Sequence, residues 1–270
     1  MSTEHSIAIL GLGWLGEPLA HTLLARGWRV AGTSRDPEKV ARLNDAGLHA
    51  ECWDFNAPLP AHWPERLRAH TLVLCVPPGK VNDYPATLGN LARLAVAGGI
   101  QRVIFTSATS VYSGMGVKTE ADAAPDGPRG ERMLAAERAV QACGARSVLI
   151  LRLSGLVGGN REPGRFLSGK RFDGGDEPVN LVALDDLLRF LPAILERSDW
   201  PAVLNVSAPH HPSRHDFYGE AARLQSLPPP EFTGGGEGKT IDGSALCRWL
   251  NMDYTVTDWF QWLGQRKPSN

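Results

Sequence analysis

Three glycines near the amino terminus are the residues of this 270-residue chain whose spacing most directly implies chemistry. The string Gly11-Leu12-Gly13-Trp14-Leu15-Gly16 has the form G-x-G-x-x-G. It leaves a compact apolar run at 7–10 and enters a stretch at 15–26 that reads as a helix. That stretch has Leu19, Leu23 and Leu24 on one face and Gly27 as its stop. In this context the first glycine permits a tight turn, the second lets the backbone approach a pyrophosphate, and the third lets strand and helix pack closely. The helix start adds free N–H groups and the positive end of the peptide dipoles. Pro18 is compatible, because its missing N–H falls in the first turn, where no intrahelical partner exists. The expected chemistry is capture of a dinucleotide, with Gly11, Gly13, Trp14, Leu15 and Gly16 against its phosphates.

The second apolar run, 28–33, decides which dinucleotide. A ribose-binding acid is expected at its end. Ser34 and then Arg35 stand there, and neither is acidic. A hydroxyl and a guanidinium suit a 2′-phosphate, since a guanidinium donates paired hydrogen bonds to phosphate oxygens. Asp36 follows late and has Pro37 and Glu38 behind it, the pattern of a helix N-cap. NADP(H) is therefore favoured, with NAD(H) as the alternative. Asp54, closing a third run at 49–53, is either an acceptor for the adenine amino group or a turn residue. Val76, Pro77 and Pro78 at the end of a fourth run, and Thr106 in a fifth at 102–106, complete the candidate cofactor contacts.

Elements in a regular order must position these residues. Strand-like runs at 7–10, 28–33, 49–53, 71–76, 102–106 and 147–153 alternate with helix-like segments, among them 88–97 and 132–143. Strands spaced in this way imply right-handed βαβ crossovers and a parallel sheet. The runs 72–76 and 148–151 are apolar on both faces, as strands covered on both sides require. The expected class is α/β, a doubly wound parallel-sheet Rossmann fold with a smaller C-terminal substrate lobe. The dinucleotide-binding domain is expected over 1–157, with 180–207 returning to it through a helix near 185–196 and a strand at 203–206. The lobe then comprises 158–179 and 208–270.

Composition narrows the function classes. Hydrophobic residues make up 43% and charged residues 21%, and the formal net charge is -1. A nucleic-acid binder working through an overall positive field is excluded. No apolar run reaches roughly 18 residues, so no membrane span is expected. The polar start, 1–6, has no apolar signal core, and the expected compartment is the cytoplasm. Cys52, Cys75, Cys143 and Cys247 are too scattered for a zinc or disulfide framework. His210, His211 and His215 lack further ligands at metal spacing, and Ser213-x-x-Asp216 has the form of a capping box, so no metal is expected.

The glycine string, the strand Val103-Ile104-Phe105-Thr106-Ser107 and the following Ser110-Val111-Tyr112 resemble the extended short-chain dehydrogenase/reductase family, which includes sugar-nucleotide epimerases and dehydratases. Arg152-Leu153-Ser154-Gly155-Leu156-Val157-Gly158 is similar to its R-x-x-G-x-x-G segment. Leu184-Asp185-Asp186 and Asn205-Val206-Ser207 are similar to two later segments, so the resemblance runs over nearly the whole chain. It implies chemistry by a Ser or Thr, a Tyr and a Lys, the Tyr exchanging a proton with substrate and the Lys lowering its pKa. Here those three positions read Ala108, Arg129 and Met133. No tyrosine lies between Tyr112 and Tyr218, so no shift of register restores the set. Arginine stays protonated near neutral pH and cannot serve as the acid–base group. Ser107, Thr109 and Tyr112 are the candidate substitutes. Arg129, with Arg161, Arg165 and Arg171, is a candidate for holding an anionic substrate. The resemblance is thus to atypical, epimerase/dehydratase-like members that lack the usual set. It implies an NAD(P)-dependent oxidoreductase with non-standard catalytic residues acting on a small molecule, with a homodimer as an expected assembly. The alternative is a non-catalytic NADP(H)-binding sensor or regulatory protein.

Overall fold

Ile7, Ala8, Ile9 and Leu10 are wholly buried, and so are Leu72, Val73 and Leu74. Strands of this kind need helices on both faces, and the chain supplies them in alternation. The structure is a computed structural model that describes residues 5–266; the polar start at 1–4 lies outside them. The first half runs β1 (Ser6–Leu10), α1 (Gly16–Ala25), β2 (Arg29–Ser34), α2 (Pro37–Asp45), β3 (His49–Cys52), β4 (Thr71–Leu74), α3 (Tyr84–Ala97), β5 (Arg102–Ala108), β6 (Gly116–Lys118) and α4 (Pro128–Gln141). The second half runs β7 (Ser147–Leu153), β8 (Gly155–Val157), β9 (Arg171–Asp173), β10 (Leu181–Ala183), α5 (Leu184–Glu196), β11 (Val203–Val206), α6 (Arg214–Leu224), β12 (Glu231–Thr233), β13 (Lys239–Ile241), α7 (Ser244–Leu250) and α8 (Trp259–Gln265).

Seven strands form the central sheet in the order β11-β7-β5-β4-β1-β2-β3. The pairings of β1 with β2 and β4, of β2 with β3, and of β4 with β5 are all parallel. The fold class is therefore the doubly wound α/β sheet expected. On α1, Leu19, Ala20 and Leu23 are buried, and each buried leucine contributes roughly 2–3 kcal/mol of apolar transfer. Helices α3 and α4 start at Tyr84 and Pro128 rather than at 88 and 132. The apolar pattern misses their first turns. Pro85 and Pro128 preorganise those turns, and the Asp83 side chain accepts from Ala86 N.

The chain divides into two compact units. One comprises the described part of Met1–Val111 together with Pro125–Arg152 and Leu191–Val203; the other comprises Tyr112–Ala124, Leu153–Phe190 and the described part of Leu204–Asn270. The second unit differs from the lobe outlined from sequence, because it also takes in 112–124, 153–157, 180–190 and 204–207. Pairing of distant segments is the reason. Strand β6 pairs in parallel with β13, β10 pairs with β8, and Tyr112 Oη donates to Asn205 Oδ1 at 2.6 Å. Helix α6 of this unit is capped by Ser213, whose Oγ accepts from Asp216 N at 3.0 Å. Among the described residues no helix is long and apolar enough to cross a membrane.

Candidate cofactor site

The glycine turn is built by local constraints that only glycine meets. Gly11 has φ +99°, and a Cβ there would lie 2.7 Å from Cys75 O. A Cβ on Gly16 would lie 2.2 Å from Gly11 O. At Gly13 the reverse holds, for an added Cβ would meet nothing within 4 Å. The first and third glycines are thus demanded by the fold, while the open face at Gly13 is where a phosphate can approach the backbone. Strand β2 holds the turn in place: Leu12 N donates to Thr33 O at 2.7 Å and Gly11 N to Thr33 Oγ1 at 3.2 Å. In the first turn of α1, Glu17 pairs with Lys39 at 2.5 Å and Arg42 at 2.7 Å. Partial burial pushes the Glu17 carboxyl up, but its bonds to these two cations outweigh that and hold it below the usual range.

A cavity of about 290 Å³ opens beside the turn. Of the residues singled out from sequence, Gly11, Gly13, Ser34, Arg35, Val76 and Pro77 line it. The others lie elsewhere. Leu15 and Gly16 are buried in the packing of α1, and Trp14 is half-buried outside the lining. Asp54 is exposed, is not among the lining residues, and accepts from Asn56 N at 3.1 Å. Pro78 offers its carbonyl to Arg132, and Thr106 Oγ1 donates to Leu74 O at 2.9 Å.

Sequence reasoning missed Lys39, Trp53, Phe55, Lys80 and Val81, which also line the cavity, as does Cys75. Trp53 and Phe55 meet edge to face at 5.3 Å, giving an apolar wall of the kind a purine ring packs on. Their signal was available in outline, since both follow the end of β3 at the carboxyl edge, where ligands of such sheets bind. Asp36 lines the cavity too, but its Oδ1 accepts from Glu38 N and Lys39 N as the cap of α2. Arg35 is exposed, and among the described residues its guanidinium has no hydrogen bond or ion pair. Burial pushes the Cys75 thiol up to about 12, against a weaker opposing hydrogen bond with Thr106.

The positions that resemble the usual catalytic set are not equipped for it. Ala108 ends β5, and Met133 is buried in α4. Arg129 is exposed in the first turn of α4, and Thr109 opens a short 3₁₀ turn. Ser107 is buried and donates to Glu137 Oε1 at 2.5 Å. Glu137 is itself held by Arg152, through Nε to Oε1 at 3.0 Å and Nη2 to Oε2 at 2.8 Å. The Tyr112 hydroxyl is likewise engaged, on Asn205. Of the three hydroxyls named as candidate substitutes, those of Ser107 and Tyr112 therefore already donate to protein acceptors. The buried pair Glu137–Arg152 escaped notice, although an arginine within the apolar strand β7 was a signal that a buried partner exists.

The three histidines serve separate ends. His210 Nδ1 accepts from Trp259 N, His211 Nδ1 lies 3.1 Å from Val179 O, and His215 Nδ1 lies 3.2 Å from Asp216 Oδ1. Among the described residues no three metal-ligating side chains gather.

Known proteins can be set beside this geometry. Residues 6–84 match the family described as the NAD binding domain of 6-phosphogluconate dehydrogenase. Protein YeeZ of Escherichia coli strain K12 is 36% identical over 265 residues, covering 93% of this chain and 96% of that protein. Among solved structures, MoeE5 in complex with UDP-glucose and NAD superposes with a TM-score of 0.76 at 23% identity, over 96% of each chain. A short-chain dehydrogenase/reductase superfamily protein from Agrobacterium tumefaciens with bound NAD gives 0.73 at 16% identity, over 97% of this chain and 96% of that one. Both likenesses show the fold, the doubly wound α/β architecture described above.

Proposed function

The chain belongs to the family of the Escherichia coli protein YeeZ, and from that premise we propose that it is an oxidoreductase that prefers NADP(H) and acts on a small molecule without the usual Ser-Tyr-Lys set. One observation carries the cofactor preference. The cavity beside the glycine turn offers the unpartnered guanidinium of Arg35 next to Ser34, while the acid in its lining, Asp36, is engaged as the cap of α2. A free cation with no free acid favours a phosphate on the adenine ribose over two bare hydroxyls. Gly11, Gly13 and Ser34 would hold the pyrophosphate and ribose, and Trp53 with Phe55 would pack on the adenine. A bound nicotinamide would supply or accept a hydride.

Hydrogen bonds to a charged group contribute about 1.5–3 kcal/mol, which is about 10- to 100-fold in affinity. Fluorescence titration is expected to show NADPH binding more tightly than NADH. Arg35→Ala should weaken NADPH by about that factor and leave NADH within about twofold. Equal affinity for the two cofactors in the parent protein refutes the preference.

A second function has its own support. Ala108 and Met133 carry no ionisable group, and the Ser107 and Tyr112 hydroxyls already donate to Glu137 and Asn205. These features favour a non-catalytic NADP(H)-binding sensor. Transfer of label from deuterated NADPH across a panel of aldehydes and ketones separates the two. Transfer selects the enzyme, and tight binding without transfer selects the sensor.

A further inference from the structure

The loops that follow β3 and β4 are joined although two strands lie between them. The sheet order there is β4-β1-β2-β3. At about 4.8 Å between neighbours, the ends of β4 and β3 are about 14 Å apart. Asn56, after β3, nevertheless donates from Nδ2 to Lys80 O at 3.1 Å and accepts at Oδ1 from Asn82 N at 3.0 Å. One side-chain amide thus pairs with the second loop as a strand would. Asp54 presets that amide, since its Oδ1 accepts from both Asn56 N and Asn56 Nδ2.

The same segment, 76–82, is gripped from α4. Arg132 Nη2 donates to Pro78 O at 2.9 Å and to Val81 O at 2.6 Å, and its guanidinium carbon lies 5.6 Å from the centre of the Tyr84 ring. Tyr84 is wholly buried and donates from Oη to Val76 O at 2.7 Å. The segment is therefore a pinned arch over the carboxyl ends of β1 and β2. Those ends carry the glycine turn and Ser34–Arg35, and residues of the arch line the same cavity as they do.

The arch brings a second cation to that cavity. Three basic residues line it: Arg35, Lys39 and Lys80. Lys39 is paired with Glu17. The ammonium of Lys80, like the guanidinium of Arg35, has no partner among the described residues. Two cations without a protein partner among the described residues line one small cavity, and a dianion bound there would attract both. We propose that Lys80 is a specificity-determining residue, a second anchor for the phosphate on the adenine ribose, and that Asn56 and Arg132 position it by pinning the arch. This rests on the NADP(H) preference set out above and extends it to a residue on a different loop from Arg35.

Dissociation constants for NADPH and NADH, measured on the parent protein, Lys80→Met, Asn56→Ala and the double variant, test this. Lys80→Met should weaken NADPH about 10-fold while NADH stays within about twofold. Asn56→Ala should lower the NADPH-to-NADH preference in the same direction, and by less once Lys80 is already methionine, because it acts through Lys80. A purely structural role for Asn56 would weaken both cofactors equally, with or without Lys80. Equal losses for both cofactors in Lys80→Met would assign that lysine to the shared pyrophosphate and overturn the proposal, as would no loss at all. The parent protein distinguishes the two levels. If it shows no NADPH preference, the cofactor reading falls and this inference with it. If it prefers NADPH and Lys80→Met retains the full preference, only the second anchor falls.

Discussion

The pair Glu137–Arg152 offers the sharpest test of the packing described for the sheet-bearing unit. The two side chains are 2% and 5% exposed. Their contact is bidentate, and Ser107 donates a further hydrogen bond to the carboxylate. Replacing Glu137 by methionine keeps most of the volume but removes the carboxylate that pairs bidentately with the Arg152 guanidinium, which has little access to water. Removing one partner of a buried pair costs about 3–5 kcal/mol, because the remaining charge is left uncompensated. For a chain of this size each kcal/mol moves the midpoint by about 2–4 °C, so Tm should fall by roughly 6–20 °C. The double variant Glu137→Met/Arg152→Met removes both charges and should recover most of that loss, since apolar replacements of a buried pair are often close to neutral. Thermal unfolding followed by circular dichroism reads both effects. A single variant that melts within about 2 °C of the parent would refute the reasoning. So would a double variant no more stable than the single one, for it would show that the cost lies in lost packing rather than in the broken charge pair.

Two further outcomes follow from the site. Gly13→Val should abolish NADPH binding with little change in Tm, because a Cβ there meets no protein atom within 4 Å; Gly11→Ala should lower Tm, because its Cβ meets Cys75 O in a left-handed conformation. Retained binding in Gly13→Val, measured by titration, would remove the phosphate from the glycine turn. Cys52 is exposed, whereas the Cys75 thiol is pushed up to about 12 by burial, so at pH 8 only about one Cys75 in ten thousand is a thiolate. Brief maleimide treatment followed by peptide mass mapping should therefore find the label on Cys52 ahead of Cys75. Faster labelling of Cys75 than of Cys52 at pH 8 would contradict the raised thiol pKa.

What could be read from sequence and what could not divides along the range of the interactions. Gly11 and Gly16 are legible because the positive φ of the first and the contact of the second with Gly11 O arise within the turn itself, and Asp36 is legible as a cap because Asp-Pro-Glu is a local signal. The residues that pin the 76–82 segment are not local in this sense. Asn56 meets Lys80 and Asn82 at separations of 24 and 26 residues, and Arg132 reaches Pro78 across 54. A loop asparagine or a helical arginine has no period that marks its partner. Glu137 and Arg152 lay inside segments whose resemblance to a family was recognised, yet pattern matching assigns residues to positions and leaves their pairing unstated. The segment 112–124 groups with the second unit for the same reason, since β6 acquires its place only by pairing with β13. The same division explains why the cofactor can be argued further than the reaction. A dinucleotide imposes fixed local demands, a tight turn, a helix start and a cation at a strand end, and this chain meets them within about thirty residues. An acid–base apparatus demands only that a proton-carrying group reach the reacting atom, from any element. With Ala108, Arg129 and Met133 at the familiar positions and the hydroxyls of Ser107 and Tyr112 already engaged, the proton-carrying group of an enzyme would be Thr109 or a residue that no motif names, and deuterium transfer rather than sequence comparison is the means of finding it.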